Sequence, residues 1–273
     1  MTALVAVPAL IVLIYFASIW VFTLFIGIIA LISLFEYYRI VLPGTVHSVF
    51  SLPQFSGSIA GLGMIAAGAL GRHDIICLIF PWMLVFSGAC ALFAYRNTPA
   101  AFDSVVKQVS GQVYLSLMFA YVVMIFAGPH GVTWIFFLFI LVFLGDTGAF
   151  YAGSYLGRHK LLPSVSPKKT VEGALGALAA TVAAGVVINF YLPVLPWQLD
   201  MPRLPWAWAV PFLVVLSICA QAGDLFESIM KRDAGVKDSG VLIPGHGGIL
   251  DRIDGLLFAV PALVLFKEYM FFP

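Results

Sequence analysis

Apolar runs long enough to cross a bilayer follow one another through this chain almost without a break, which leaves little room for any fold but a bundle of membrane helices. A helical span needs about 20 mainly apolar residues, because the hydrocarbon core is about 30 Å thick and a helix rises about 1.5 Å per residue. Such runs fall near residues 3–17, 19–38, 55–71, 75–94, 112–128, 131–152, 172–192, 205–229 and 253–271, nine in all. Only 10% of the 273 residues are charged and 62% are hydrophobic, against roughly a quarter charged in soluble domains. The expected fold is therefore all-α, a polytopic integral membrane protein. Residues 1–130 supply about five spans. Residues 131–273 supply about four, with two polar loops between them. The net charge of +1 gives no support to nucleic-acid binding through bulk charge.

Helix breakers mark several of the boundaries: Pro43-Gly44, Gly128-Pro129 and the group Pro193, Pro196, Pro202 and Pro205. Gly173, Gly176 and Ala180 form a small-residue stripe suited to close helix packing. Trp20, Trp82, Trp134, Trp197, Trp206 and Trp208 lie mostly near span ends and read as interfacial anchors. Cys77, Cys90 and Cys219 sit in apolar stretches with no CxxC pair and read as small buried hydrophobes. The first residues have no basic stretch and no small-residue cleavage site, so the expectation is a retained first span.

Orientation follows from the lysines and arginines. With nine spans, 11 of the 14 share one side with the N-terminus, and only Arg72, Arg203 and Lys267 fall on the other. This asymmetry predicts a cytoplasmic N-terminus and puts both basic loops on the cytoplasmic face, where nucleotides are.

Against this apolar background the charges that remain are concentrated. Lys231, Arg232, Lys237, Asp238, His246, Asp251, Arg252 and Asp254 fall within the 27 residues from Ser228 to Asp254, interspersed with glycines and Pro244. Lipid penalises such a cluster, so a polar ligand is expected there. Asp224 and Glu227 precede it on one helix face, as their spacing of three dictates. Asp251 and Asp254 repeat that spacing. Carboxylates on two helix faces joined by a Gly/Pro-rich loop suit a hard divalent cation, or else pair with Arg252 or Lys231. The second basic loop holds Ser166, Lys168, Lys169, Thr170 and Glu172 just before a new helix. Helix N–H groups and paired lysines suit phosphate, although such a loop also serves to set topology. Asp146, flanked by Gly145 and Gly148 at the end of an apolar run, fits a polar cavity or a helix-packing hydrogen bond. His246 has no second histidine at zinc spacing, which leaves a phosphate contact, a general acid or a loop-ordering hydrogen bond. Walker A, G-x-G-x-x-G and G-x-S-x-G patterns are absent.

The run from Ser228 through Lys231-Arg232, Lys237-Asp238, Gly240, Pro244, His246-Gly247-Gly248 and Asp251-Arg252 to Asp254 resembles the defining motif of phosphatidate cytidylyltransferases, the CDP-diacylglycerol synthases. Gly145-Asp146-Thr147-Gly148 and Ser166 to Gly173 resemble a second motif region of that family, so the likeness covers about residue 140 to the end. The resemblance implies an enzyme of phospholipid biosynthesis that transfers CMP from CTP to phosphatidate, in a bacterial inner membrane and with its site facing the cytoplasm. It implies Mg²⁺ on Asp224, Asp251 and Asp254, with a second cation open. CTP would lie on Asp146, Ser166, Lys168, Lys169, Thr170 and Glu172. Catalytic roles would fall to Asp224, Lys231, Arg232, Lys237, Asp238, His246, Asp251 and Arg252. Homodimerisation stays open. A CTP-dependent polyprenol or phytol kinase is the alternative and an ion-coupled transporter a more distant one; for the transporter, no internal repeat is visible.

Overall fold

The computed structural model describes residues 2–42, 52–95, 101–191, 204–240 and 247–271. Ten α-helices are seen among them. The chain forms two compact units, one of Met1–Gly128 with Asp233–Arg252 and one of Pro129–Arg232 with Ile253–Pro273. Among the described residues, six helical stretches are long and apolar enough to cross a membrane: Ile19–Val41, His73–Phe93, Ala101–Ala127, Gly131–Leu156, Val171–Phe190 and Trp206–Asp233. The chain is thus a helical, multi-pass membrane protein. The other three runs expected to span correspond to α1 (Thr2–Phe16, 15 residues), α3 (Leu52–Ala69, 18 residues) and α10 (Leu250–Leu265, 16 residues), the last followed by a π-helical turn, Phe266–Phe271. Large apolar side chains such as Leu24, Leu84, Phe143 and Val187 are exposed, as lipid-facing surfaces require.

In the first unit α2 (Ile19–Val41) begins at Ser18, whose Oγ accepts from the Val21 N–H at 3.4 Å. Next come α3, α4 (His73–Ala94) and one long helix made of α5 (Ala101–Gly111), a π-helical stretch (Gln112–Leu117) and α6 (Met118–Ala127). The expected fifth span began at 112. The structure starts the helix about three turns earlier because Asp103 and Lys107 pair at 2.7 Å on an amphipathic first part that a search for uniform apolarity misses. Phe22 stacks on Phe126 with ring centroids 3.9 Å apart. Polar side chains also cross-link these helices: Tyr37 OH donates to the Lys107 carbonyl at 2.9 Å, and Gln112 Nε2 to Tyr38 OH at 2.9 Å.

The second unit is built on α7 (Gly131–Leu156) and α8 (Val171–Tyr191), which cross closely enough that side chains would collide. A Cβ on Gly148 would lie 2.6 Å from the Gly176 carbonyl, and one on Gly145 2.6 Å from Thr181 Oγ1. The Gly173, Gly176 and Ala180 stripe thus packs as its composition predicts. α9 (Trp206–Asp233) approaches α10 in the same manner, and a Cβ on Gly223 would strike the Asp254 carbonyl. The core holds Trp134, Phe137, Phe212 and Phe266, with Phe212 and Phe266 stacked at 4.1 Å.

The fold is helical as expected, with one short addition: β1 (Lys160–Leu162) and β2 (Ser166–Thr170) form an antiparallel hairpin between α7 and α8. This polar connection satisfies its own backbone by strand pairing, and Pro167, with no N–H to give, costs little in a two-stranded edge. Trp134 is no interfacial anchor but fully buried, whereas Trp20, Trp82, Trp206 and Trp208 are exposed and Trp197 lies outside the described residues. Cys77 is exposed on α4 and not buried; all three thiols are free.

Candidate functional site

The hairpin shapes the polar region of the second unit. Lys160 pairs with Thr170 and Leu162 with Ser166, with an irregular register between them. Glu172, in the first turn of α8, accepts from the Arg158 N–H at 3.1 Å and the His159 N–H at 3.2 Å, and its Oε1 lies 2.6 Å from His159 Nδ1. It therefore ties the incoming strand to the helix start. Thr170 caps the helix, its Oγ1 accepting from the Gly173 N–H at 3.1 Å.

Beside this helix start lies a cavity of about 470 Å³ whose walls include Asp146, Lys160, Lys168, Lys169, Thr170 and Asp224. α7 supplies Asp146, the hairpin the lysines and Thr170, and α9 Asp224. Lys169 Nζ meets Asp224 Oδ2 at 2.5 Å, and Asp146 lies within electrostatic reach of both. Gly153 and Gly173 keep the wall thin, because a Cβ on either would press on Thr170 Oγ1 at 3.2 and 3.0 Å. Three lysines at a helix N-terminus, with two carboxylates opposite, favour a polyanion.

Further along α9, Lys231 Nζ binds the buried Glu227 Oε2 at 2.8 Å. Asp254 on α10 lies in the same polar region, close to Glu227, Asp224 and Lys231. Arg232 Nε donates to the Val165 carbonyl at 3.2 Å and so braces the hairpin turn. Spacings of three and four along α9 therefore do aim Asp224, Glu227 and Lys231 at one polar region.

The first unit holds the other half of the Ser228–Asp254 run. Asp251 Oδ2 accepts from Ser239 Oγ at 2.8 Å, the Ser239 N–H at 2.9 Å and the Gly248 N–H at 2.9 Å. Lys237, Asp238 and Arg252 are exposed, and His246 lies outside the described residues. The sequence reading overlooked Glu36, on α2. Only 4% exposed, it accepts from the Ile249 N–H at 3.1 Å and the Leu250 N–H at 2.9 Å, and takes a long bond from Ser239 Oγ at 3.4 Å. A signal for it exists: an acid at the end of an apolar run, the same criterion that singles out Asp146.

Of the expected metal ligands, Asp224 and Asp254 belong to one unit, and Asp251, on the same helix as Asp254, falls at the edge of the other. Among the described residues, no three His, Cys, Asp or Glu side chains gather closely enough to hold a metal ion. Ser166, on the hairpin, and Glu172, in the first turn of α8, are not among the residues lining the cavity.

Fold and site together define a multi-pass membrane protein whose lysine-rich cavity has the charges to suit an anion. The model of the cytidylyltransferase family matches residues 1–270, and the chain belongs to that family. It is similar to the phosphatidate cytidylyltransferase of Bacillus subtilis (strain 168), with 32% identity over 89% of this chain and 87% of that protein. It is also similar to phosphatidate cytidylyltransferases of Brucella suis biovar 1 (strain 1330), 47% identical over 50% of this chain and 48% of that protein, and of Staphylococcus haemolyticus (strain JCSC1435), 43% identical over 49% and 48%. The chain thus spans about half the length of several curated relatives it matches.

Proposed function

We propose that this chain transfers CMP from CTP to phosphatidate, giving CDP-diacylglycerol and pyrophosphate. The observation that carries the reading is the cavity at the start of α8, where Lys160, Lys168 and Lys169 stand with Asp146 and Asp224. Relatives matched over most of this chain or over half of it bear the name of that activity.

A phosphate oxygen of phosphatidate attacks the α-phosphorus of CTP, forming one P–O bond. The bond to the β-phosphate breaks, and pyrophosphate leaves with the electron pair. Both reactants are anions and the nucleophile is already ionised, so alignment and neutralisation matter more than a strong base. Lys160, Lys168 and Lys169 would take the triphosphate, with the N-terminus of α8 adding its partial charge. Lys169 also fixes the Asp224 carboxylate at the cavity wall. Asp224 and Asp254 would hold Mg²⁺, the usual partner of one or two carboxylates plus phosphates, which when bound neutralises phosphate charge. In this reading the chain crosses a bacterial inner membrane nine times with its N-terminus in the cytoplasm.

The test is purified protein with phosphatidate vesicles and CTP labelled in the α- or the γ-phosphate. Label from the α-position on the lipid supports the proposal. Label from the γ-position would make the protein a lipid kinase and overturn it. Maleimide labelling of cysteines placed at 160 and 237 tests orientation, and reaction from the outer face alone would refute the cytoplasmic assignment.

A further inference from the structure

We propose that Glu36 is a positioning residue for the reaction, acting through the first turn of α10, the helix that carries Asp251 and Asp254; the inference rests on the transferase reading given above. Glu36 lies 203 residues before Ser239 and 213 before Ile249, yet its carboxylate meets Ser239 Oγ, which also bonds Asp251, and the N–H groups of Ile249 and Leu250. The first N–H groups of any helix lack intrahelical partners and attract negative charge. In α10 those of Ile249 and Leu250 go to Glu36, while that of Gly248 goes to Asp251, the side chain three residues on reaching back as in a capping box. Ser239 Oγ stands between the two carboxylates, 2.8 Å from Asp251 and 3.4 Å from Glu36.

The glycines of the motif fit this carboxylate. A Cβ on Gly248 would lie 2.5 and 2.6 Å from the two Glu36 oxygens, and one on Gly240 would strike the same carboxylate. Gly247, with φ of +80°, would put a Cβ 2.6 Å from Asp251 Oδ2. Three glycines of the motif thus make room for two carboxylates, one of which is outside the motif. A buried charge placed here for packing alone would be costly, whereas one saturated by helix N–H groups fixes the loop in a single register.

The test compares Glu36→Gln and Ser239→Ala with wild type in the full chain, reading kcat, KM for CTP, thermal stability and hydrogen exchange by peptide. In Glu36→Gln the amide nitrogen faces N–H donors and one acceptor is lost. Hydrogen bonds to charged groups contribute about 1.5–3 kcal/mol, so roughly 10- to 100-fold faster exchange is expected in 247–252. kcat should fall about as much, with KM within about twofold and exchange in α7 and α8 unchanged. Ser239→Ala, a milder change, should give the same pattern at roughly tenfold. Wild-type exchange in 247–252 in both variants would overturn the proposal, and so would an increase spread evenly over the chain with kcat falling only with the folded fraction. Exchange needs no substrate, so it reports on Glu36 even if the protein proves to transfer some other group.

Discussion

In the unit of residues 129–232 and 253–273, lysines and aspartates line an open cavity, and Asp224 keeps 45% of its side chain exposed although Lys169 binds it. In the other unit Glu36 is almost wholly buried, and its carboxylate is taken up by backbone N–H groups and a serine. Both arrangements use helix N-termini: at α8 the lysines of the hairpin stand beside the helix start and line a cavity, while at α10 anions from the protein itself already occupy it. Charge held by an open wall is available to a ligand, and charge held by backbone serves geometry. The two units should therefore respond differently to the loss of a carboxylate.

The largest expected effect is at Asp224. Asp224→Asn keeps the shape of the cavity wall but removes the charge that faces Lys169 and would bind a cation. Transfer should fall roughly a thousandfold, about 4 kcal/mol of transition-state stabilisation. Melting should change little, because an exposed ion pair contributes about 0–1 kcal/mol. A large loss of stability with activity per folded molecule preserved would erase the contrast between the units.

Lys169→Ala comes next. It removes one cation from the cavity and leaves Asp224 without its 2.5 Å partner. kcat/KM for CTP should drop roughly 10- to 100-fold, the size of one charged hydrogen bond. Rescue by Lys169→Arg should be incomplete, because a planar guanidinium does not reproduce a compact ammonium. An unchanged KM and kcat would remove the triphosphate from this wall.

Packing supplies the third prediction. Gly148→Val would drive side-chain atoms into Ala180 and the Gly176 carbonyl. Overpacking of this kind costs about 1–3 kcal/mol, so the melting temperature should fall, and activity with it, because α7 carries Asp146 into the cavity. A Gly148→Val protein that melts like wild type would show that α7 and α8 do not need their glycine contact.

How far these features were legible in the sequence depends on the kind of signal each leaves. The spans around 131–152 and 172–192 were placed within a few residues because a bilayer demands uniform apolarity over a set length. The Gly173, Gly176 and Ala180 stripe was legible because only small residues allow such a crossing. Lys168, Lys169 and Asp224 stand out as charges that lipid would not tolerate without a purpose, and in the structure all three line one cavity. Glu36 satisfies the same criterion, but its partners lie more than 200 residues away and two of them are backbone N–H groups, which leave no mark in side-chain identity. The hairpin was missed because its strands are short and Pro167 argues against a strand. Trp134 was misplaced because position near a span end says nothing about which way an indole turns.

The smallest effect separates capping from binding at Thr170, which does both jobs in one place: its Oγ1 caps α8 and it also lines the cavity. Thr170→Ala removes the cap and should cost about 1 kcal/mol of stability. Thr170→Asp restores a good cap, since Asp ranks at least as high as Thr there, so melting should return to the wild-type value or above it. The same substitution sets a negative charge beside Lys168 and Lys169, where a triphosphate is expected. KM for CTP should then rise about tenfold, 1.4 kcal/mol, while the protein stays fully folded. If Thr170→Asp recovers both stability and KM, the hydroxyl serves the helix alone, and the anion lies further along the lysine wall. If it recovers stability and loses affinity, the start of α8 is part of the nucleotide site, and the contrast with the carboxylate-filled start of α10 is one of function as well as charge.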